Sequence, residues 1–294
     1  MSRPRFVSTT IRYAVVYVLI QTFMYQVAKD GLRYSSPFVL MGIRLLIASL
    51  LTFGVARRFR PIVNKDMILL SFFTCLATGL WAYGLEYVSP ADSAVLSYAM
   101  PLFSIPMAAV ILSEKPTGSE WGGAVVGFLG VLIYSLSFTS HSFTLFGGML
   151  TLVNAFFYAM FTVYFRKLKN QDPAITVATQ LLFVALVALV LAPLDYKLVI
   201  NSNFLFDLAY LSILAGPVFF YLWNALARLQ KIGKTTAFVY LTPVAATVVQ
   251  SVQTSLAPDI VSLSGLAMML LGISISNGTI PLQKNANRAS CWDV

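Results

Sequence analysis

The sequence predicts an all-α membrane protein whose ten transmembrane helices form two inverted five-helix repeats. Three observations predict this fold class. The composition is too apolar for a soluble domain, ten apolar runs are long enough to cross a bilayer, and the second half of the chain repeats the first at a nearly constant offset. Because each repeat holds an odd number of helices, the second must enter the membrane from the opposite side.

The composition is that of a membrane protein. Of the 294 residues 58% are hydrophobic and 11% are charged, and the mean hydropathy is +0.79. A soluble domain has about 25% charged residues, and a helix needs about 20 apolar residues to cross a bilayer core of about 30 Å. The ten apolar runs are 10–28, 36–56, 67–88, 92–112, 118–138, 145–165, 174–194, 204–227, 235–256 and 259–279.

The basic residues predict the orientation in the membrane. With the N-terminus inside, the inner segments hold 16 of the 20 Lys and Arg, the outer loops hold three, and Arg44 lies within a helix. This asymmetry follows the positive-inside rule and places both termini in the cytoplasm. The net charge of +9 is therefore interpreted as a topology signal, and nucleic acid is not an expected partner. The expected location is the plasma (inner) membrane of a prokaryote, as a multi-pass monomer in contact with lipid.

Several function classes lack their motifs. The sequence has no HExxH, no GxSxG, no P-loop and no paired carboxylates, so an enzyme is not predicted. His141 is the sole histidine, and Cys75 and Cys291 lie far apart in the predicted topology, so neither a metal site nor a disulfide is expected. No cofactor is predicted.

The internal repeat is visible at an offset of 142 residues. Tyr98-x-x-Pro101 falls on Tyr240-x-x-Pro243, and Trp81 falls on Trp223. Further pairs at the same offset are Pro116 with Pro258, Gly123 with Gly265, and Gly130 with Gly272. Near the start of each half the offset becomes 136 or 137. Inverted repeats are typical of secondary transporters, whose binding site lies near the midplane between the repeats.

The segment YGLEYVSPADSAVLSYAMPLFSIPMAAVILSEKPTGSEWGGAVVGFLGVLIYS, residues 83–135, resembles the hallmark segment of EamA-type carriers of the drug/metabolite transporter superfamily. MGIRLLIASLL, which contains Arg44, is similar to the second-helix pattern of that family. The resemblance implies a first EamA-type repeat over 5–140, an inverted second repeat over 141–280 and a cytoplasmic tail over 281–294. The family often has an acid in both halves, but Leu256 stands at the position equivalent to Glu114.

The resemblance also implies a function: export of small neutral or zwitterionic metabolites, with amino acids, including aromatic and hydrophobic ones, as a prominent class. The alternative within transport is a proton-coupled exporter of drugs or organic cations. That alternative needs a carboxylate buried near the midplane, whereas all eleven acids are expected at helix ends, in loops or in the tail. A membrane enzyme or receptor is the alternative of another class. Phosphate-bearing substrates would need several basic residues in the cavity, and Arg44 is alone.

Polar residues at helical spacing predict a cavity. The resemblance implies that helices three, four, eight and nine surround it. Four stripes recur on single helix faces: Tyr17, Gln21 and Tyr25; Ser93, Ser97 and Ser104; Asn154, Tyr158 and Thr162; and Tyr240, Thr247, Ser251 and Thr254. Interhelical hydrogen bonding is the alternative for any one Ser or Thr, but four stripes favour a cavity because polar groups are costly against lipid.

Repeat-related aromatic residues complete the candidate substrate site. Trp81 and Trp223, like Tyr98 and Tyr240, would lie symmetrically about the axis that relates the halves, with packing as the alternative. Arg44 either meets a substrate carboxylate or makes structural bonds. The candidate substrate-binding residues are Trp81, Tyr98, Trp223, Tyr240, Ser97, Asn224, Thr247, Gln21, Tyr158 and Arg44.

Prolines within the apolar runs predict bends. Pro101 and Pro106 in helix four, and Pro243 in helix nine, each remove a backbone hydrogen bond and clash with the preceding turn, at a cost of about 3 kcal/mol in a helix interior. We expect a paired bend that serves as a hinge around the common site. A static kink that only serves packing is the alternative.

Overall fold

The computed structural model describes residues 3–136, 143–229 and 231–276. Within these ranges the regular structure is helical, apart from one isolated antiparallel bridge between Ser35 and Leu198. The α-helices are α1 Arg3–Tyr34, α2 Pro37–Ala56, α3 Lys65–Glu86, α4 Pro90–Ser97, α5 Met100–Leu112, α6 Gly118–Ser135, α7 Leu145–Lys167, α8 Pro173–Leu191, α9 Ser202–Ile213, α10 Phe219–Leu229, α11 Ile232–Ala237, α12 Leu241–Thr254 and α13 Ile260–Ser276. His141, Cys291 and the predicted tail 281–294 lie outside the described residues. The all-helical fold class is confirmed.

Each of the ten predicted apolar runs corresponds to helical structure. Among the described residues, eight segments are long and apolar enough to cross a membrane. The predicted fourth, eighth and ninth helices are among them as the composite segments Pro90–Leu112, Ser202–Leu229 and Ile232–Thr254. The other two are α6, and α13, which is a shorter apolar helix. That these two also cross the membrane stays a prediction.

Helix starts follow local sequence signals. The Asn64 side chain accepts a hydrogen bond from the backbone N–H of Met67 at 2.8 Å, which satisfies a free donor of the first turn of α3. Thr117 and Glu120 form a complete capping box at the start of α6. Pro173 occupies the first turn of α8, where a missing N–H costs nothing.

The predicted fourth and ninth helices are interrupted at equivalent places. α4 ends at Ser97, and α5 begins at Met100 with Pro101 in its first turn. In the second half, a short 3-10 segment, Phe238–Tyr240, separates α11 from α12, whose first turn contains Pro243. Both bends therefore exist where the prolines predict them. Their action as hinges stays a prediction.

Two further prolines lie within helical segments. Pro106 lies inside α5, which continues past it. Pro217 lies in a π-helical segment, Leu214–Val218, that joins α9 to α10 and divides the predicted eighth helix. The sequence analysis did not anticipate this third interruption. It follows the same physical rule, because a wider turn accommodates the proline ring and its missing N–H.

Glycines bring α6 and α13 into direct backbone contact. A Cβ added to Gly123 would lie 2.5 Å from the carbonyl oxygen of Gly272, and one added to Gly130 would lie 2.6 Å from that of Gly265. Under the 142-residue offset, Gly123 is equivalent to Gly265 and Gly130 to Gly272. The contacts are therefore reciprocal, as across a two-fold axis.

The interrupted fourth and ninth predicted helices also contact each other reciprocally. α4 packs against α12, and α5 packs against α11. The first part of one helix thus meets the last part of its repeat partner, so the two equivalents run antiparallel. Other repeat-related helices, α2 and α8, also pack together. This antiparallel pairing of equivalents is the arrangement that an inverted repeat requires.

Candidate functional site

A cavity lies inside the bundle among α1, α2, α3, α7 and the start of α10. It is narrow in this conformation, with a free volume of about 40 Å³, well below the range of about 300–1,000 Å³ for typical small-molecule sites, so a substrate requires the surrounding helices to move apart. Its lining is mostly aromatic and apolar, with a few polar groups and no acidic side chain. The lining residues are Gln21, Met24, Tyr25, Arg44, Ala77, Thr78, Trp81, Asn154, Tyr158, Phe161, Phe219 and Phe220.

Regular helix spacing presents most of these side chains. Three helices each contribute three lining residues separated by one, three or four positions, which lie on one face of an α-helix. These sets are Gln21, Met24 and Tyr25 on α1, Ala77, Thr78 and Trp81 on α3, and Asn154, Tyr158 and Phe161 on α7. The stripe predicted on α7 thus reaches the cavity and continues to Phe161.

Arg44 is the one cation in the cavity lining. It lies in the second turn of α2 and is 1% exposed. Its guanidinium carbon is 5.4 Å from the centroid of the Trp81 ring, in cation–π geometry. Its Nε and Nη1 atoms are buried without a hydrogen-bond partner. In the described residues, the three ion pairs all involve other cations.

The Trp81 indole N–H is also buried without a hydrogen-bond partner. Trp81 is 5% exposed, and its Nε1 is buried without a partner. Its ring packs edge-on against Tyr25, with centroids 5.6 Å apart. Buried donors usually have partners, so two unpartnered donor groups at one cavity point to a group that is not part of the chain.

Aromatic rings close one side of the cavity. The hydroxyls of Tyr17 and Tyr158 hydrogen-bond to each other. The Tyr17 ring stacks on Trp223 at 4.9 Å and on Phe219 at 5.1 Å. Trp223 lies behind this layer, fully buried, and its Nε1 donates to Thr162 Oγ1 at 2.9 Å. Trp223 is therefore packed and satisfied, and it does not line the cavity.

Ser97 and Tyr98 lie next to the cavity but outside its lining. Ser97 Oγ accepts a hydrogen bond from Asn154 Nδ2 at 2.9 Å, so it orients one of the lining side chains. Tyr98 is fully buried at the end of α4. Both residues belong to the bend in the predicted fourth helix.

Three other predicted residues lie elsewhere. The Tyr240 ring packs against Gly127 of α6. Thr247 donates to the Pro243 carbonyl at 2.9 Å and lies 3.3 Å from the Tyr134 hydroxyl. Asn224 hydrogen-bonds to Arg228, one turn further along α10. The structure thus brings Gln21, Arg44, Trp81 and Tyr158 together at one cavity. Ser97, Tyr98 and Trp223 lie next to this set, and Tyr240, Thr247 and Asn224 lie elsewhere.

The asymmetry has a physical reason. The sequence analysis assumed that repeat-related residues share one environment, which a cavity on the two-fold axis would provide. Four repeat-related pairs do line the cavity: Gln21 with Tyr158, Met24 with Phe161, Ala77 with Phe219, and Thr78 with Phe220. The large Tyr17 ring, which stands where the other half has Asn154, stacks on Trp223, so Trp81 lines the cavity while its equivalent Trp223 packs behind it. No helix-four or helix-nine residue is in the lining, although the family resemblance implied both. Transport contacts for all ten candidates stay a prediction.

Some lining residues were missed. Phe161, Phe219 and Phe220 were not candidates, because the chain has 22 Phe and most were expected to pack or face lipid. Only the continuation of the α7 stripe from Asn154 and Tyr158 pointed to Phe161. For Phe219 and Phe220 the signal was the repeat, because they are the 142-residue equivalents of Ala77 and Thr78, which also line the cavity.

Polar contacts join helices at both ends of the bundle. At the predicted cytoplasmic end, Glu114 pairs with Arg166 at 3.2 Å and accepts from the Ile232 N–H at 3.1 Å. At the predicted outer end, Lys29 Nζ donates to the carbonyl of Leu85 at 2.6 Å and to two others nearby. Each cluster joins residues that are far apart in the sequence.

The acids are less exposed than the sequence analysis expected. Asp92, Glu120 and Asp207 are all buried. Asp92 and Glu120 lie in the first turns of α4 and α6, as expected for helix ends. Asp207 lies in the second turn of α9, within a candidate span, which corrects the expectation that every acid lies at a helix end, in a loop or in the tail. None of the three lines the cavity.

Comparison with known proteins gives one family. The model of the EamA-like transporter family matches residues 8–136 and again residues 145–278. An Acidianus ambivalens protein, "Uncharacterized transporter in sor 3'region", is 42% identical over 85% of this chain and 96% of its own length. A Salmonella typhimurium "Probable amino-acid metabolite efflux pump" is 24% identical over 90% of this chain and 93% of its own length.

A solved crystal structure shares the fold. It superposes with a TM-score of 0.74 at 18% sequence identity, covering 91% of this chain and 97% of its own length. At this identity the likeness concerns the fold alone.

Proposed function

The chain belongs to the EamA-like transporter family, and from this premise we propose that it exports small neutral or zwitterionic metabolites, chiefly amino acids, including aromatic and hydrophobic ones. It is a secondary carrier that alternates access to a central site. The observation that carries the proposal is the cavity, whose aromatic walls and few polar groups suit a compact molecule with one apolar body and a polar end. The name of the Salmonella relative supports the same substrate class.

Cation export is the weaker alternative. A proton-coupled exporter of organic cations needs a carboxylate that can exchange its proton for the cation. The lining contains Arg44 and no acid, so a cationic substrate would meet a like charge. Asp207 is the buried acid within a span that comes closest to this requirement, but it lies outside the lining. A membrane enzyme or receptor finds no support in the family to which the chain belongs.

Polar contacts at both ends of the bundle support alternating access. The Glu114–Arg166 cluster and the Lys29 cluster lie on opposite ends of the bundle, so opening one while the other stays closed exposes the cavity to one side. The paired bends near Pro101 and Pro243 supply the points about which each half can move.

Counterflow in proteoliposomes tests the function. The purified protein is reconstituted, the vesicles are loaded with unlabelled phenylalanine, leucine, glucose or tetraphenylphosphonium, and uptake of the matching labelled trace is followed. We expect transient accumulation for the two amino acids alone. Protein-free vesicles are the control. Accumulation of tetraphenylphosphonium without amino-acid counterflow would instead establish the cation exporter.

The direction of transport and the orientation of the protein in the membrane are tested in intact cells. Cells that overproduce phenylalanine from a supplied dipeptide should release it faster when this protein is expressed. Reporters fused after Val294 should be active when their folding requires the cytoplasm, because the basic residues place both termini inside the plasma membrane of a prokaryote. Activity restricted to an outside reporter would contradict the topology.

A further inference from the structure

Arg44 is a buried cation that forms no ion pair within the part of the chain that the structure describes. It is 1% exposed, and two of its three guanidinium nitrogens, Nε and Nη1, lack any partner. Burying an ionised group without pairing or hydrogen bonds is strongly unfavourable. Chains normally avoid this cost by supplying a carboxylate or carbonyl oxygens. Here the nearest compensating group is the face of the Trp81 ring, 5.4 Å from the guanidinium carbon.

The neighbouring Trp81 indole also has a donor without a hydrogen-bond partner. Trp81 Nε1 is also buried and unpartnered, and both side chains line the same cavity. Arg and the indole N–H are donors and have no acceptor capacity. Two donor groups at one place, one of them permanently charged, fit an anionic acceptor. They do not fit an ammonium group, which is itself a donor. Gln21 Oε1, a buried and unpartnered acceptor in the same lining, is available to the ammonium group of an amino acid.

The rest of the lining limits which anion is suitable. One guanidinium matches a singly charged, planar carboxylate, which it can bind through two parallel hydrogen bonds. A phosphate ester would leave further charge unmatched, because the lining has no second cation. Tyr25, Phe161, Phe219 and Phe220 supply apolar surface for a hydrocarbon or aromatic body attached to that carboxylate.

We infer that Arg44 and Trp81 form a subsite that binds the carboxylate of an organic substrate inside the cavity. The inference rests on the proposed function, because it takes the cavity to be the transport site. It goes further in requiring a carboxylate: amino acids are accepted, and the corresponding amines and amides are rejected.

Ligand-induced thermal stabilisation of the purified full chain in detergent tests the subsite. Four probes share one phenyl body: phenylalanine, 3-phenylpropionate, phenethylamine and phenylalaninamide. A ligand that binds the native state raises the unfolding midpoint. We expect stabilisation by the two carboxylates and none by the other two. Arg44→Gln should weaken carboxylate binding by about tenfold to a hundredfold, the usual range for losing hydrogen bonds to a charged group.

Matched variants separate the subsite from general effects. Arg33→Gln removes an exposed arginine that pairs with Asp30 and should leave the carboxylate preference unchanged. Arg44→Lys keeps the charge and should retain part of the affinity. Should Arg44→Gln fail to fold, Trp81→Phe keeps a ring, removes the N–H donor and should weaken both carboxylates by a few fold.

Each result decides the subsite. Equal stabilisation by phenylalanine and phenylalaninamide, no stabilisation by either carboxylate, or unchanged affinity in Arg44→Gln would overturn it. Arg44-dependent carboxylate binding by a protein that fails to counterflow amino acids would leave the subsite standing and remove the proposed function. Amino-acid counterflow that is unchanged in Arg44→Gln would support the proposed function and remove the subsite.

Discussion

Trp81 and Trp223 occupy equivalent positions in the two repeats but have opposite environments. Trp81 lines the cavity with a free indole N–H, whereas Trp223 is fully buried, stacked on Tyr17 and bonded to Thr162. A buried donor that has a partner contributes to stability, and one that has none is available to a ligand. The two tryptophans should therefore respond differently to the same substitution.

Trp223→Phe should lower stability, and Trp81→Phe should lower substrate affinity. The first change removes the hydrogen bond to Thr162 and leaves a small void, so we expect a loss of about 1–3 kcal/mol. The second removes an N–H that has no protein partner and should change stability little. Thermal unfolding without ligand measures the first effect, and phenylalanine competition in counterflow measures the second. The same loss of stability in both variants would contradict these separate roles.

At the scale of elements, backbone contact between helices depends on glycine. α6 and α13 approach so closely at Gly123 and Gly130 that no side chain fits between them. Membrane helices lack a hydrophobic driving force for association, so close packing of small residues is a main source of their affinity. The bends near Pro101 and Pro243 serve a different purpose, because they weaken helix continuity where motion is proposed.

Gly123→Ala should destabilise the α6–α13 contact. The added methyl group would lie 2.5 Å from the Gly272 carbonyl oxygen, and relief of such overpacking costs about 1–3 kcal/mol. Gly79→Ala is the matched control, since Gly79 is also helical and a Cβ there meets nothing within 4 Å. Midpoints of thermal unfolding compare the two. A fall for Gly79→Ala as large as that for Gly123→Ala would show that the contact is not the cause.

Pro101→Ala and Pro243→Ala should slow exchange without weakening binding. Alanine restores an N–H and favours a continuous helix across each bend, so the flexible point is lost while the cavity lining is unchanged. We expect counterflow rates to fall about tenfold, which corresponds to about 1.4 kcal/mol in the barrier. Pro173→Ala, at the start of α8, is the control. Unchanged rates in both bend variants would favour the static kink.

At the scale of the whole molecule, two sets of polar contacts lie at opposite ends of the bundle. The Glu114–Arg166 pair is largely buried, with side chains 15% and 20% exposed. The nearby Lys167–Asp66 pair is more open, at 38% and 32%. Exposed pairs contribute about 0–1 kcal/mol or less, so the buried pair should matter more for closure of this end.

Breaking Glu114–Arg166 should open the cavity toward the predicted cytoplasmic side. In a variant without native cysteines that carries Thr78→Cys in the lining, a membrane-impermeant maleimide reports access from each side. Replacing both Glu114 and Arg166 by Gln should raise labelling from that side about fivefold, the effect of about 1 kcal/mol on the closed state. Lys167→Gln should have a smaller effect, and Lys29→Met should favour labelling from the outside. Equal labelling from both sides in every variant would argue against two separate gates.

The sequence by itself determined the fold class. The ten apolar runs, the glycine and proline pairs and the 142-residue offset are local or periodic features, so the helices, both proline bends and the repeat could be predicted without coordinates. The stripe of Asn154 and Tyr158 reached the cavity for the same reason, because helical spacing places residues on one face whatever the helix packs against.

Only the tertiary structure decided where the site lies. The sequence made Trp81 equivalent to Trp223 and Tyr98 to Tyr240, but the side chains around equivalent positions differ in the two halves, as with Tyr17 and Asn154, so equivalent residues meet different neighbours. Whether Arg44 has a partner depends on what the other helices bring to it, which no periodicity within α2 records. Burial, free donors and the position of the cavity are products of packing between distant segments, and for this reason they emerged only with the fold.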